Sequence, residues 1–140
     1  MANKLDLQVV SQEKKLFSGQ VDLLTVPTME GELTILPFHA PLFAEMDYGE
    51  LRYKQDKEWS HLVVSTGFLH VTPDNKAIII VDSATHARDI SIEAAEAAIR
   101  AAKETMMLSE NKRELILAEA AMRKAMLEIR VAQRTKKSRF

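Results

Sequence analysis

The residues best suited to proton transfer near neutral pH are four histidines, His39, His61, His70 and His86, scattered through a 140-residue chain without cysteine. His39 is the one with functional weight. It lies in "GELTILPFHAPL" (31–42), in a turn between Pro37 and Pro41, just beyond a strand-like run that carries Glu32. Turn residues often carry function, and a general base could sit there. No serine or acid is spaced from His39 in a way that suggests a triad, and a histidine bracing its own proline-bounded turn is the plainer reading. His70, in "FLHV", shares a strand face with Phe68 and reads as a packed or edge residue. No two histidines fall at i, i+4 on a helix, and no thiolates are available to complete a zinc site. P-loop, dinucleotide, HExxH and nucleophile-elbow motifs are absent. Neither a catalytic residue, a metal nor a cofactor is expected.

The elements that hold these residues change character along the chain. From Lys4 to Asp82 the pattern is short strands with frequent turns. In "KLDLQVV" Leu5, Leu7 and Val9 face one way, and Lys4, Asp6 and Gln8 the other. Further strands are expected at "QVDLLTVP", "ELTIL", "LFAEM", "GELRYK", "EWSHLVVS", "GFLHV" and "KAIIIVD". Gly19, Gly31, Pro37, Pro41, Gly49, Gly67 and "TPDN" read as turns between or beside them. Strands at this spacing with no helical stretch among them point to an antiparallel sandwich or flattened barrel. "AIIIV", apolar on both faces, reads as a strand covered on both sides.

After "HARD" the period becomes helical. Asp89 or Ser91 can cap a helix beginning "IEAAEAAIRAAKETMM", whose stripe is Ile92, Ala95, Ile99, Ala102 and Met106. After "SEN", Asn111 with Glu114 forms a capping-box-like start, and Leu115, Ala118, Met122, Ala125, Ile129 and Ala132 repeat the stripe. The short break makes the two helices an antiparallel hairpin. The fold class expected is therefore α+β, a sandwich over residues 1–86 followed by a helical hairpin over 87–140. Alanine at alternate seam positions lets the helices approach closely but buries little area, each missing methylene forfeiting ~0.8 kcal/mol. A hairpin that can detach, its helices kept intact by alanine's helix propensity, is as compatible with this pattern as a permanently docked one.

Charge is uneven although the net value is −1. Residues 1–85 hold 7 Lys/Arg against 12 Asp/Glu, and residues 112–140 hold 9 against 3. A basic tail beside an acidic body seeks an acidic partner. Arg123, Lys124, Arg130, Arg134, Lys136, Lys137 and Arg139 supply the charge, but no aromatic residue for base stacking appears until Phe140, which disfavours nucleic acid. The alanine seam is also a weak apolar face for a membrane surface. No segment reaches the length of an apolar membrane span.

On these residues the whole chain resembles the epsilon subunit of bacterial F-type ATP synthase (delta in mitochondria). "LFSG" followed by "EGELTILPFHAPL", then "STGFLHVTPDNKAIIIVDSATHARDI", then an Ala-rich hairpin with a basic end, follow the family's order and spacing. The resemblance implies a non-catalytic rotor part, a ten-stranded sandwich joining the gamma subunit to the polar loops of the membrane c-ring. It makes Glu30, Gly31, Glu32, Phe38, His39 and Ala40 candidates for the c-ring and gamma interface. It further implies a hairpin that can extend along gamma and inhibit ATP hydrolysis. Arg123, Lys124, Arg130 and Arg134 would then face the beta subunit, with alpha nearby. Membrane association would come only through the complex. The lack of a transit peptide favours a bacterial or plastid-encoded form over a mitochondrial one, and the cytoplasmic face of a bacterial plasma membrane is the expected place.

One departure bears on nucleotide binding. Some members of that family bind ATP through a motif (I/L)-D-x-x-R-A at the start of the first helix. This chain reads "ISIEAA" there, with Ser91 in place of the aspartate and Ala94 in place of the arginine. Lys124 and Glu128 stand where such members carry arginines. Loss of arginine donors weakens phosphate binding, so weak or no ATP binding is expected. The alternative from another class is a free-standing adaptor, its sandwich binding one protein and its basic hairpin binding nucleic acid or anionic membrane. A small hydrolase built on His39 is a third reading, with no other residue to support it.

Overall fold

The computed structural model describes residues 3–138, which form ten strands followed by a 3₁₀ turn and two helices. The strands are β1 (Leu5–Ser11), β2 (Lys15–Val21), β3 (Leu23–Thr28), β4 (Gly31–Ile35), β5 (Leu42–Met46), β6 (Gly49–Gln55), β7 (Glu58–Val64), β8 (Gly67–Thr72), β9 (Lys76–Val81) and β10 (Ala84–His86). They follow the order β10-β7-β6-β3-β5-β8-β9-β1-β2, with β4 paired to β3. The 3₁₀ turn Ala87–Asp89 leads to α1 (Ile92–Leu108) and α2 (Lys112–Ser138). Two compact units meet between His86 and Ala87.

Alternation places the sandwich core. Leu5, Leu7 and Val9 are fully buried or nearly so, and they join Leu24, Val26, Ile35, Met46, Leu51, Leu62, Leu69 and Ile79 in one cluster. Most of these strands alternate apolar and polar residues, so folding them over each other buries residues from each of β1 to β9. All ladders are antiparallel except one. β1 runs parallel to β9, with Leu7 opposite Ala77 and Val9 opposite Ile79, a pairing that joins the β1–β2 hairpin to strands far away in sequence.

Three sequence expectations are corrected. "QVDLLTVP" is not a single strand. The chain bends at Asp22, and "KLFSGQV" is a strand of its own with Gly19 within it, opposite Leu7. The residues 84–86 add a short strand on β7 that no periodicity in three residues can announce. "AIIIV" is fully covered on one side only, with Ile78 half-buried on the other. Ala77, Ile79 and Val81 are buried, but Ile80 is 55% exposed.

The turns follow their local chemistry. Asp56 and Lys57 both have positive φ, as a two-residue type I′ hairpin requires. Asn75 takes the left-handed position (φ 61°) closing the β8–β9 turn, a role asparagine tolerates better than most residues. Gly67 has no room for a side chain without a backbone shift, because a Cβ there would lie 2.1 Å from the Ile80 carbonyl oxygen.

In the hairpin, Ser91 rather than Asp89 caps α1, its hydroxyl accepting from the Ala94 N–H at 3.1 Å. Asn111 Oδ1 accepts from the N–H groups of Arg113 and Glu114. The box is completed through Ser109, whose hydroxyl donates to Glu114 at 2.6 Å and accepts from the Asn111 N–H. Along the seam Ala95, Ala102, Ala118, Ala125 and Ala132 are buried, whereas Ile92, Ile99, Leu115, Met122 and Ile129 are only half-buried. The small seam leaves an open groove of about 590 Å³ beside Ala98, Ala102, Leu117 and Ala121.

Candidate functional site

The residues singled out around β4 do not converge on one point. β4 runs for five residues between its two turns, about 13 Å of extended chain from Gly31 to Ile35. Glu30, Gly31 and Glu32 lie at one end of the sandwich, while Phe38, His39 and Ala40 lie at the other.

At the first end, Met29 and Glu30 form the β3–β4 turn. Thr28 Oγ1 donates to the Gly31 carbonyl at 2.6 Å and accepts from the Glu30 N–H at 3.2 Å. Gly31 takes φ 116° with open space around it. The Met29 N–H donates to Glu45 O, and the Asp47 N–H to Pro27 O, which ties the β5–β6 turn beside this one. Glu30, Glu32, Glu45 and Asp47 are thus gathered at one end, all exposed, with Met29 among them. Glu32 is held by Arg52 from β6, and Arg52 also reaches Glu50, whose carboxylate contacts His61 Nδ1 at 3.3 Å.

At the opposite end, His39 N–H donates to Leu36 O at 3.1 Å, closing a turn with Pro37 and Phe38 at its centre. The imidazole Nδ1–H donates to the carbonyl of its neighbour Ala40 at 2.7 Å. His39 therefore braces its turn. Phe38 is 67% exposed and has φ 63°. Its N–H donates to Asn75 Oδ1 at 2.6 Å, and Asn75 Nδ2 donates to Lys4 O at 2.7 Å. Lys4 Nζ in turn binds the carboxylates of Asp22 and Asp56. The hydrogen bond to Asp22 is the main cause holding the ammonium pKa above its ordinary value, and the same bond holds the Asp22 carboxyl below its own.

A third surface was missed by sequence reasoning. Phe43 on β5, Phe68 and His70 on β8 and Ile80 on β9 form an exposed strip on the outer face. The Phe43 ring lies 5.5 Å from Phe68 and 5.8 Å from His70 between centroids. Phe43 pairs with His70, and Phe68 with Ile80, so the strip spans three neighbouring strands. The signal was present, since strands with apolar residues at both parities have two faces to cover.

On α2, Arg123, Lys124, Arg130 and Arg134 are all exposed. At about 100° per residue, Arg123, Arg130 and Arg134 line one face opposite the alanine seam, and Lys124 stands about a quarter-turn away. Arg123 also meets Glu119 at 3.5 Å. Ser91 is engaged as a cap and Ala94 is exposed. The side chains of Lys136 and Lys137, together with Arg139 and Phe140, lie outside the described residues. Among the described residues no group of three His, Asp or Glu is placed to hold a metal ion, and no helix is long and apolar enough to cross a membrane.

The described surfaces are thus a sandwich with one acidic end and one aromatic strip, followed by a helical hairpin with an arginine face. Residues 4–87 match the family described as "ATP synthase, Delta/Epsilon chain, beta-sandwich domain". The ATP synthase epsilon chain of Dehalococcoides mccartyi (strain CBDB1) is 42% identical over 137 residues, covering 96% of each chain. That of Syntrophobacter fumaroxidans is 33% identical, over 96% of this chain and all of its own. A chain in the Euglena gracilis mitochondrial ATP synthase shares the fold at TM-score 0.76 and 23% identity, with 95% of this chain and 81% of that one covered. A chain of the Tetrahymena thermophila mitochondrial enzyme shares it at 0.63 and 12% identity, over 93% of this chain and 97% of that one. The chain belongs to the ATP synthase delta/epsilon family, and like the epsilon chains it matches it is a non-catalytic subunit of ATP synthase.

Proposed function

We propose that the protein is the central-stalk rotor subunit that couples the c-ring to gamma and inhibits ATP hydrolysis through its hairpin. The observation that carries the reading is the end-to-end match to epsilon chains, hairpin included. The Euglena complex is named with its c-ring and the Tetrahymena one as central stalk and c-ring, which supports the same placement here. Within that reading the acidic end, with Glu30 and Glu32, meets the polar loops of the ring. The strip of Phe43, Phe68 and Ile80 docks on gamma, because an apolar patch on an outer sheet face calls for a protein cover. The arginine face of α2 meets an acidic segment of beta, with alpha beside it, when the hairpin extends. The complex sits at the cytoplasmic face of a bacterial membrane, driven by protons or sodium ions. ATP binding by the subunit is weak or absent, since Ser91 stands in place of the motif's aspartate and Ala94 supplies no arginine donor at the helix start.

The test is ATP hydrolysis by the catalytic sector reconstituted with the full chain or with a chain ending near Ala87. Higher activity with the shortened chain is expected. Equal activity would remove the inhibitory role and leave coupling intact. Failure of the full chain to bind gamma at all would overturn the reading.

A further inference from the structure

The Leu36–His39 turn has proline at its second position and a positive φ at its third, the pattern of a type II turn, whose third position normally takes glycine. Here that residue is Phe38, at φ 63°, where an L side chain crowds the following carbonyl. The side chain gains no burial in return, because the phenyl group is 67% exposed. The surroundings instead enforce it. Asn75 Oδ1 accepts from the Phe38 N–H, Asn75 Nδ2 donates to Lys4 O, and the Asp6 N–H donates to Asn75 O. Pro37 and Pro41 restrict the chain on either side, and His39 closes on Ala40. A bulky residue held in a glycine conformation with its ring in solvent has the character of strain kept for function.

We infer that Phe38 is a strained anchor, presented by Asn75 as its positioning residue, that inserts into an apolar recess of the shaft subunit gamma. The inference rests on the rotor reading given above. Gamma is the occupant for two reasons. The ring's polar loops suit the acidic end of the sandwich, and Phe38 lies at the opposite end. The turn also leads directly into β5, where Phe43 begins the aromatic strip assigned to gamma. A preorganised aromatic ring loses little freedom on binding and commonly dominates an interface.

The experiment compares the full chain with Phe38→Gly in two measurements, the urea unfolding midpoint and the affinity for an alpha/beta/gamma assembly that lacks the ring. Glycine removes the strain, so the folding equilibrium constant should rise about threefold, net of glycine's greater chain entropy. Affinity should fall about tenfold. Raised stability with unchanged affinity would overturn the anchor, and lowered stability would overturn the strain. Loss confined to assemblies containing the ring, or to lipid vesicles, would reassign Phe38 and overturn the choice of gamma. A wild-type chain that does not bind the ring-free assembly would instead overturn the rotor reading itself. For Asn75, Asn75→Ala should weaken binding in the wild-type background but not in Phe38→Gly. Asn75→Asp, which keeps the acceptor for the Phe38 N–H, should restore it. Equal losses in both backgrounds would make Asn75 merely structural.

Discussion

Arg52 on β6 reaches over the intervening β3 to hold both carboxylate oxygens of Glu32, with Nη1 to Oε2 at 3.1 Å and Nη2 to Oε1 at 3.0 Å. The same guanidinium touches Glu50, whose side chain is only 10% exposed, whereas that of Glu32 is 54% exposed. The two carboxylates should respond differently to losing it. Glu32→Gln removes an exposed pair and should change unfolding free energy by less than about 1 kcal/mol. Arg52→Met leaves Glu50 with fewer partners in a drier place and should cost about 1–3 kcal/mol. Urea unfolding of both variants checks this, and equal effects would contradict it.

Two glycines make a second contrast. Gly67→Ala forces a Cβ to within 2.1 Å of a backbone oxygen and 2.8 Å of Val81 Cα. The β8–β9 ladder must shift, and a loss of about 3 kcal/mol or more is expected. Gly31→Ala meets nothing within 4 Å and suffers only from φ 116°, so about 1–2 kcal/mol is expected. Thermal and urea melts should rank them in this order.

Neighbouring isoleucines on β9 should separate stability from assembly. Ile79 is fully buried, and Ile79→Ala should cost about 2–5 kcal/mol. Ile80 is 55% exposed, so Ile80→Ser should stay within about 0.5 kcal/mol of wild type. The second substitution should nevertheless weaken capture of the chain by gamma. Unfolding curves and pull-down on the same preparations give both answers.

Lys4 and Asp22 predict the pH dependence. The Lys4 pKa is raised, chiefly by its hydrogen bond to Asp22, so its contribution is complete below its unfolded value and is lost as pH rises through the folded one. The Asp22 pKa is lowered, chiefly by the same bond, so its contribution is present above its unfolded value and is lost as pH falls through the folded one. Stability from the pair should form a plateau between these limits. In Asp22→Asn both limbs should flatten, the alkaline one less because Asp56 still holds Lys4. Urea midpoints across the acidic and alkaline ranges measure the two limbs.

Much of the fold was legible because burial follows periods of two and of 3.6. Leu5, Leu7 and Val9 announced an inward face in a seven-residue stretch, and the alanine seam appeared with its half-covered Ile99 and Ile129. The missed elements had weak local signals. "KLFSGQV" carries a glycine within it, β10 is three residues long, and the exposure of Ile80 depends on what lies outside the sheet.

The sequence by itself determined both helices and most of the strands and turns, narrowed the α1 cap to Asp89 or Ser91, and showed the separation of acidic body from basic tail. All of these are set by neighbours along the chain. It also carried the family signature. Only the tertiary structure decided that Glu32 and His39, seven positions apart, lie at opposite ends of the sandwich. It also decided that β1 pairs in parallel with β9, and that Asn75 holds Phe38 in a glycine conformation. The last two relations join residues distant in sequence, and their geometry exists only once the strands have paired and the core beneath them is packed.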